Sequence, residues 1–224
     1  MNILRMLRPA TLTLGLAISA KAALVSVPYE QNFNGYAVDG PTDFTESSTS
    51  AFTIIDYGGS KAYLARLVST NGSHSGSVQV AGSGGQNFNV ASDITRYSET
   101  NLGTATAMNI SLAAAGTAAT FGSTDYRVSV NYHNSTVSFL RNGVTLTTTN
   151  SGTLPSLATD NTVRVTLSGV YSSATQAQIT YTVSDGTNTF TGVYDDNAAL
   201  SGEYFGFRVA KNSGSGSTVA RRAR

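Results

Sequence analysis

Apolar side chains recur at every second position in short runs along this chain, and polar turns separate the runs. Tyr126, Val128, Val130 and Tyr132 share one face of an extended segment, while Arg127, Ser129, Asn131 and His133 share the other. Val163, Val165 and Leu167 repeat the pattern, as do Ala177, Ile179, Tyr181 and Val183. The residues between them, Arg164, Thr166, Gln178, Thr180 and Thr182, are polar, as on a strand with one wet face. Asn142-Gly143 lies between two such runs, and a type I′ turn needs positive φ at both of its central residues. This pair therefore predicts a tight hairpin. Asp185-Gly186 predicts a second hairpin in the same way.

The pattern predicts strands over Phe52–Asp56, Ala62–Val68, Ser77–Ala81, Phe88–Ala91, Thr104–Leu112 and Arg127–Tyr132. Further strands are expected over Thr136–Arg141, Val144–Thr149, Thr162–Leu167, Gln176–Val183, Thr189–Tyr194 and Tyr204–Val209. Regular spacing with polar breaks is the signature of an all-β sandwich. No window sustains a 3.6-residue period. The Ala113–Ala119 run is interrupted by Gly116 and could hold one helical turn at most. Gly206 between Phe205 and Phe207 suggests a bulge or a close backbone approach.

Composition adds a compartment. Arg5 and Arg8 precede an apolar run from Ala10 to Ser19, and Ala20-Lys21-Ala22 supplies a small-x-small cleavage site. Residues 1–22 therefore read as a secretory signal peptide. The run is shorter than the roughly 20 residues that cross a bilayer. With no Cys in the 224 residues, neither a lipoprotein anchor nor a disulfide framework is available. A secreted domain without cysteine points to a bacterial product, whether periplasmic, released or held at the cell surface. The remaining chain divides into a β-sandwich domain over 23–212 and a Gly/Ser linker with a basic tail over 213–224.

Charge argues against a nucleic-acid partner. Of the 14 basic residues, Arg5, Arg8 and Lys21 belong to the leader and Arg221, Arg222 and Arg224 to the tail. Eight are left against 13 acids, a mildly acidic body. The sequons at Asn71, Asn109 and Asn134 are what a chain rich in Ser, Thr and Asn produces by chance.

The run from Tyr126 through Asn142-Gly143-Val144 resembles the central hairpin of concanavalin A-like lectin and glucanase sandwiches, laminin-G-like modules included. The opening from Tyr29 to Tyr36 is similar to the first strand of such domains in exported bacterial proteins. Gly202-Glu-Tyr-Phe-Gly-Phe-Arg208 is similar to their penultimate strand. The resemblance implies an antiparallel jelly-roll β-sandwich of two packed sheets, with little or no helix beyond the signal peptide. It also implies a carbohydrate- or surface-binding role. Domains of this kind often precede a Pro-Glu-Pro sorting tail. That tripeptide and its apolar helix are missing here, and the only candidate for a final strand is Ser217–Ala220.

Some relatives of that kind are hydrolases, so acid pairs matter. A retaining glycosidase sets two carboxylates about 5–5.5 Å apart. After the leader the Glu residues are Glu30, Glu46, Glu99 and Glu203, and none has an acid two or four positions away in a strand-like context. There is no Trp to stack on a sugar. Neither histidine, His74 or His133, has an acid beside it, and no Gly-x-Ser-x-Gly elbow is present. Gly82-Ser-Gly-Gly85 lacks the Lys of a phosphate loop and reads as a turn. What is left is the strand end at Tyr194, Asp195, Asp196 and Asn197. These residues read either as an ordinary turn or as a ligand-binding rim, where oxygen-rich side chains could take a sugar or Ca²⁺. The expectation is an exported, non-catalytic carbohydrate-binding or surface-interaction module. A structural cell-surface protein and a glycoside hydrolase with an unfamiliar site are the alternatives.

Overall fold

A computed structural model describes residues 24–25, 33–40, 42–48, 51–67, 72–97, 108–131, 135–149, 161–211 and 216–223. The predicted signal peptide and His133 lie outside these residues. The strands are β1 (Leu24–Val25), β2 (Thr45–Glu46), β3 (Phe52–Tyr57), β4 (Ser60–Leu67), β5 (Gly72–Val80), β6 (Phe88–Tyr97), β7 (Met108–Gly116) and β8 (Tyr126–Asn131). They continue with β9 (Thr136–Arg141), β10 (Val144–Thr149), β11 (Thr162–Ser173), β12 (Gln176–Ser184), β13 (Thr189–Asp196), β14 (Tyr204–Lys211) and β15 (Gly216–Ala223). No helix occurs among the described residues.

The strands form two sheets. The first, eight-stranded, runs β1-β5-β14-β7-β8-β9-β10, with β2 also against β5. The second, seven-stranded, runs β13-β12-β11-β6-β15-β4-β3. Every pairing is antiparallel except that of β1 with β5. Alternation decides which faces meet. Val163, Val165 and Leu167 of β11 and Ile179 and Val183 of β12 are fully buried. They face Tyr126, Val128 and Val130 of β8 and Phe139 of β9, also fully buried, across the sandwich. The Phe139 ring stacks on Tyr181, with centroids 4.8 Å apart and 9° between planes, which joins the two layers. A second aromatic group gathers around Tyr63, with Phe33 at 5.4 Å, Phe52 at 5.1 Å and Phe44 at 5.3 Å.

The expected hairpin forms where the sequence placed it. Asn142 and Gly143 have φ of 50° and 78°, and Arg141 pairs with Val144. Gly206 sits at a register shift against β7, and a Cβ there would collide with the Gly76 carbonyl oxygen.

Two segments depart from the sequence reading. The Ala113–Ala119 run contributes no helical turn, because β7 extends to Gly116. Ala113 and Ala114 are fully buried there, in a central strand covered on both faces, where small side chains are what fits. Residues 216–223, placed above in the linker and basic tail with Ser217–Ala220 as the candidate final strand, form β15 between β4 and β6, a strand longer than that candidate. Its Gly/Ser start and its arginines masked a strand with paired neighbours on both sides.

Candidate functional site

The strand end at Tyr194–Asn197 splits into different environments. Asp196 is 3% exposed and points inward from β13, an edge strand of the second sheet. Its Oδ2 accepts from Tyr126 Oη at 2.6 Å and from Arg141 Nε at 2.5 Å, both from the first sheet. Its Oδ1 accepts the Ala198 N–H at 2.8 Å. Arg141 Nη2 also donates to the Ala198 carbonyl, Tyr126 Oη accepts the Leu200 N–H at 2.9 Å, and Tyr171 Oη donates to the Leu200 carbonyl. The network pins the segment 197–200 to the sandwich. Burial alone would raise the Asp196 carboxyl, but the hydrogen bonds from Tyr126, Ala198 and Arg141 hold it below the ordinary carboxylate range. Tyr194 packs on Phe139 at 5.6 Å, Asp195 is exposed and accepts from Gln178 Nε2 at 2.9 Å, and Asn197 is exposed in the turn. Among the described residues no three acidic or histidine side chains gather as a metal ion would require.

A second locus lies on the outer face of the first sheet, and the sequence reading missed it. Register aligns Ser75 of β5, Arg208 of β14, Ser111 of β7, Ser129 of β8, Ser138 of β9 and Thr148 of β10 in one row across the sheet. At about 4.8 Å between strands the row is roughly 24 Å long. The neighbouring row is Ser73, Ala210, Asn109, Asn131 and Thr136. These two rows are therefore a field of small hydroxyl and amide side chains with the Arg208 guanidinium among them, and Arg127 stands in the next row of the same face.

Part of this face is roofed. Residues 117–125 fold back over it: Ser77 Oγ donates to the Ala119 carbonyl at 2.8 Å, and the Phe121 N–H donates to Ser75 Oγ at 2.9 Å. Ser75, Ser77, Ser111 and Ala113 are buried in consequence, while Ser129 and Ser138 stay partly open and Thr148 is exposed. The roof is tied down by charge. Asp125 is fully buried and Arg127 is 3% exposed. Arg127 Nε stands 2.6 Å from Asp125 Oδ1, an ion pair outside hydrogen-bond angles, and Arg127 Nη2 donates to the Gly122 carbonyl at 3.1 Å. The Gly122 N–H donates to Asp125 Oδ2 at 2.5 Å. The Asn142-Gly143 hairpin leans on the same segment, through the Asn142 N–H to the Asp125 carbonyl at 3.0 Å.

The other well-held carboxylates are structural in their contacts. Glu203 accepts from Gln79 Nε2 at 3.0 Å and from the Gly82 N–H at 2.7 Å, and Glu46 accepts from Tyr63 Oη at 2.7 Å. The Gly82–Gly85 segment is a turn, as its composition suggested.

No family model matches the chain, and no curated protein does either. Solved structures do. Peanut lectin with a bound nonapeptide superposes with a TM-score of 0.54 at 13% identity, covering 87% of this chain and 95% of the lectin. The fold is the concanavalin A-like jelly roll. The galactose complex of lectin UEA-II shares this jelly roll with a TM-score of 0.50 at 14% identity, over 88% of this chain and 97% of that one. So does the PL-14 alginate lyase from Aplysia kurodai, at 0.52 and 8% identity, over 80% of this chain and 87% of the lyase. Within the jelly roll, the Arg208 row crosses six strands of one sheet, and Asp196 closes the gap between the sheets at their edge.

Proposed function

We propose that this chain is an exported carbohydrate-binding module without catalytic groups, acting in the periplasm or at the cell surface. Its ligand would lie on the unroofed part of the first sheet's outer face. The observation that carries this reading is the open run of the row, Ser129, Ser138 and Thr148. Small hydroxyls at strand spacing offer donors and acceptors to the hydroxyls of a sugar chain laid across the strands. Lectins among the structural neighbours support it. The non-catalytic part is supported by the carboxylates themselves. Asp125, Asp196 and Glu203 each spend both oxygens on contacts within the protein, which gives these three carboxylates structural work.

A polysaccharide-binding panel with and without Ca²⁺ tests this reading, using Ser138→Trp to block the face and Asp195→Ala with Asn197→Ala to erase the strand-end rim. Binding lost in the first variant and kept in the second is expected. Loss in the second alone would move the site to the rim, and sugar release from any member of the panel would make the protein an enzyme.

One feature favours a structural role instead. Val144 and Leu146 are 61% and 38% exposed on β10, an edge strand of the sheet formed by the described residues, which is a template for pairing with another copy. Concentration-dependent self-association without glycan would support that role.

A further inference from the structure

Among the described residues, the outer face of the first sheet carries more positive charge than its acids neutralise. Arg127 and Arg208 both stand on it, and among the described residues Asp125 is the one acid between them. Asp125 is already spent, with one oxygen beside Arg127 and the other on the Gly122 N–H. Arg208 is left over. Its Nε is sealed from water with no hydrogen-bond partner, and a Cβ added at Gly122 would stand 3.7 Å from it. Its side chain is half-buried, and burial together with the neighbouring Arg127 charge disfavours its protonated form, against the pull of Asp125. The next acid in sequence is Glu203, just before β14, five residues away and about 17 Å in extended chain, and Gln79 and Gly82 hold it. A guanidinium is costly to bury without acceptors. A glutamine at 208 would fill much the same space without that cost, so the charge has a use outside the packing.

We propose that this face takes an acidic glycan, a chain bearing carboxylate or sulfate groups. Arg208 receives the anionic group, and the hydroxyl row from Ser129 to Thr148 receives the ring hydroxyls beside it. This rests on the carbohydrate-binding reading above and adds the chemical class of the ligand. The planar fork of a guanidinium matches two oxygens of a carboxylate or sulfate at once, which an ammonium does not. The roof segment 117–125 strengthens the contact by excluding water from the Nε side.

The experiment uses the full chain against immobilised polygalacturonate, dextran sulfate and neutral dextran, each at low and high salt. The wild type is expected to retain one or both acidic polymers about tenfold or more over the neutral one, the scale of a lost charge-assisted hydrogen bond, with retention falling as salt rises. Which acidic polymer is held separates carboxylate from sulfate recognition. Arg208→Gln should remove that preference, and Arg208→Lys should restore only part of it. Ser129→Glu, half-buried two strands away in the same row, should abolish binding of the acidic polymers by repulsion and serves as the check if Arg208→Gln fails to fold. Equal binding of acidic and neutral polymers, or an Arg208→Gln protein that still prefers the acidic ones, overturns the proposal while leaving a glycan-binding module in place. If no polysaccharide of any class is held, both readings fall.

Discussion

Tyr126, at the start of β8 in one sheet, donates its phenolic hydrogen to Asp196 Oδ2 at 2.6 Å, on the edge strand of the other sheet. Arg141 reaches the same oxygen at 2.5 Å. The pair is a polar rivet in a rim otherwise closed by apolar packing, and it fixes where the chain turns between β13 and β14. Asp196→Ala strands the Arg141 charge and the Tyr126 hydroxyl together. Breaking a fully buried pair costs about 3–5 kcal/mol. Arg141 keeps a fifth of its side chain in solvent, so about 2–3 kcal/mol is expected here. Tyr126→Phe, which also removes the acceptor for the Leu200 N–H, should cost about 1–2 kcal/mol. Urea unfolding of the two variants, alone and combined, checks both values. A double variant as costly as the two singles added would mean that the residues do not act as one unit.

The same carboxylate predicts a pH dependence of definite sign. Asp196 titrates below its ordinary value in the folded state, so the folded chain binds its proton less readily than the unfolded chain. Its contribution is complete above the unfolded carboxylate value near 4 and is lost as pH falls from there toward the folded value. The stability gap between wild type and Asp196→Asn should therefore be constant from pH 7 to about 5 and narrow below about 4. A gap independent of pH down to 2.5 would show that the ion pair contributes only shape.

Glu46 should behave in the opposite way. Burial raises its carboxyl, and the hydrogen bond from Tyr63 only partly opposes this. A group that binds its proton more readily when folded weakens the fold once it is ionised. Glu46→Gln keeps an acceptor for Tyr63 and removes the charge, so it should raise the thermal midpoint at pH 7. The gain should fade as pH drops through the folded value toward 4, where the wild-type carboxyl is itself protonated. A variant less stable than wild type at pH 7 would place the weight on the charged hydrogen bond instead.

These contacts also show what can be read before a structure exists. Val163, Val165, Leu167, Ala177, Ile179, Tyr181 and Val183 are buried as their period-two spacing requires, and Asn142-Gly143 turns as its φ preference requires. Both are local properties. Asp196 could not be read as a rivet, because its partners Arg141 and Tyr126 lie 55 and 70 residues away in the other sheet and meet it only where the two sheets pack together. Alternation places Arg127 on the face opposite Tyr126, Val128 and Val130, and the pairing keeps it there. It is buried because residues 117–125 roof that face, which no periodicity reports. The Ser75-to-Thr148 row is invisible in sequence for the same reason, since its members come from six separate strands. The composition of 216–223 spoke for a tail, but pairing with β4 and β6 outweighed it.

Gly143 offers the sharpest test of how the roof is held. Its φ of 78° already disfavours a side chain, and a Cβ there would stand 2.5 Å from the Gly122 carbonyl oxygen. That oxygen accepts from Arg127 Nη2, so pushing it away disturbs both the hairpin and the charged anchor of the roof. Gly143→Ala should cost about 1–3 kcal/mol from the backbone conformation alone. The carbonyl clash should add a second effect, faster amide hydrogen exchange at Phe121 and Gly122, whose N–H groups are held by Ser75 and Asp125. Asn142→Gly, which keeps the turn and adds no atoms, should leave those two amides as protected as in the wild type. Equal exchange in the two variants would mean that the hairpin tip does not brace the segment 117–125, and that Asp125 and Arg127 hold it unaided.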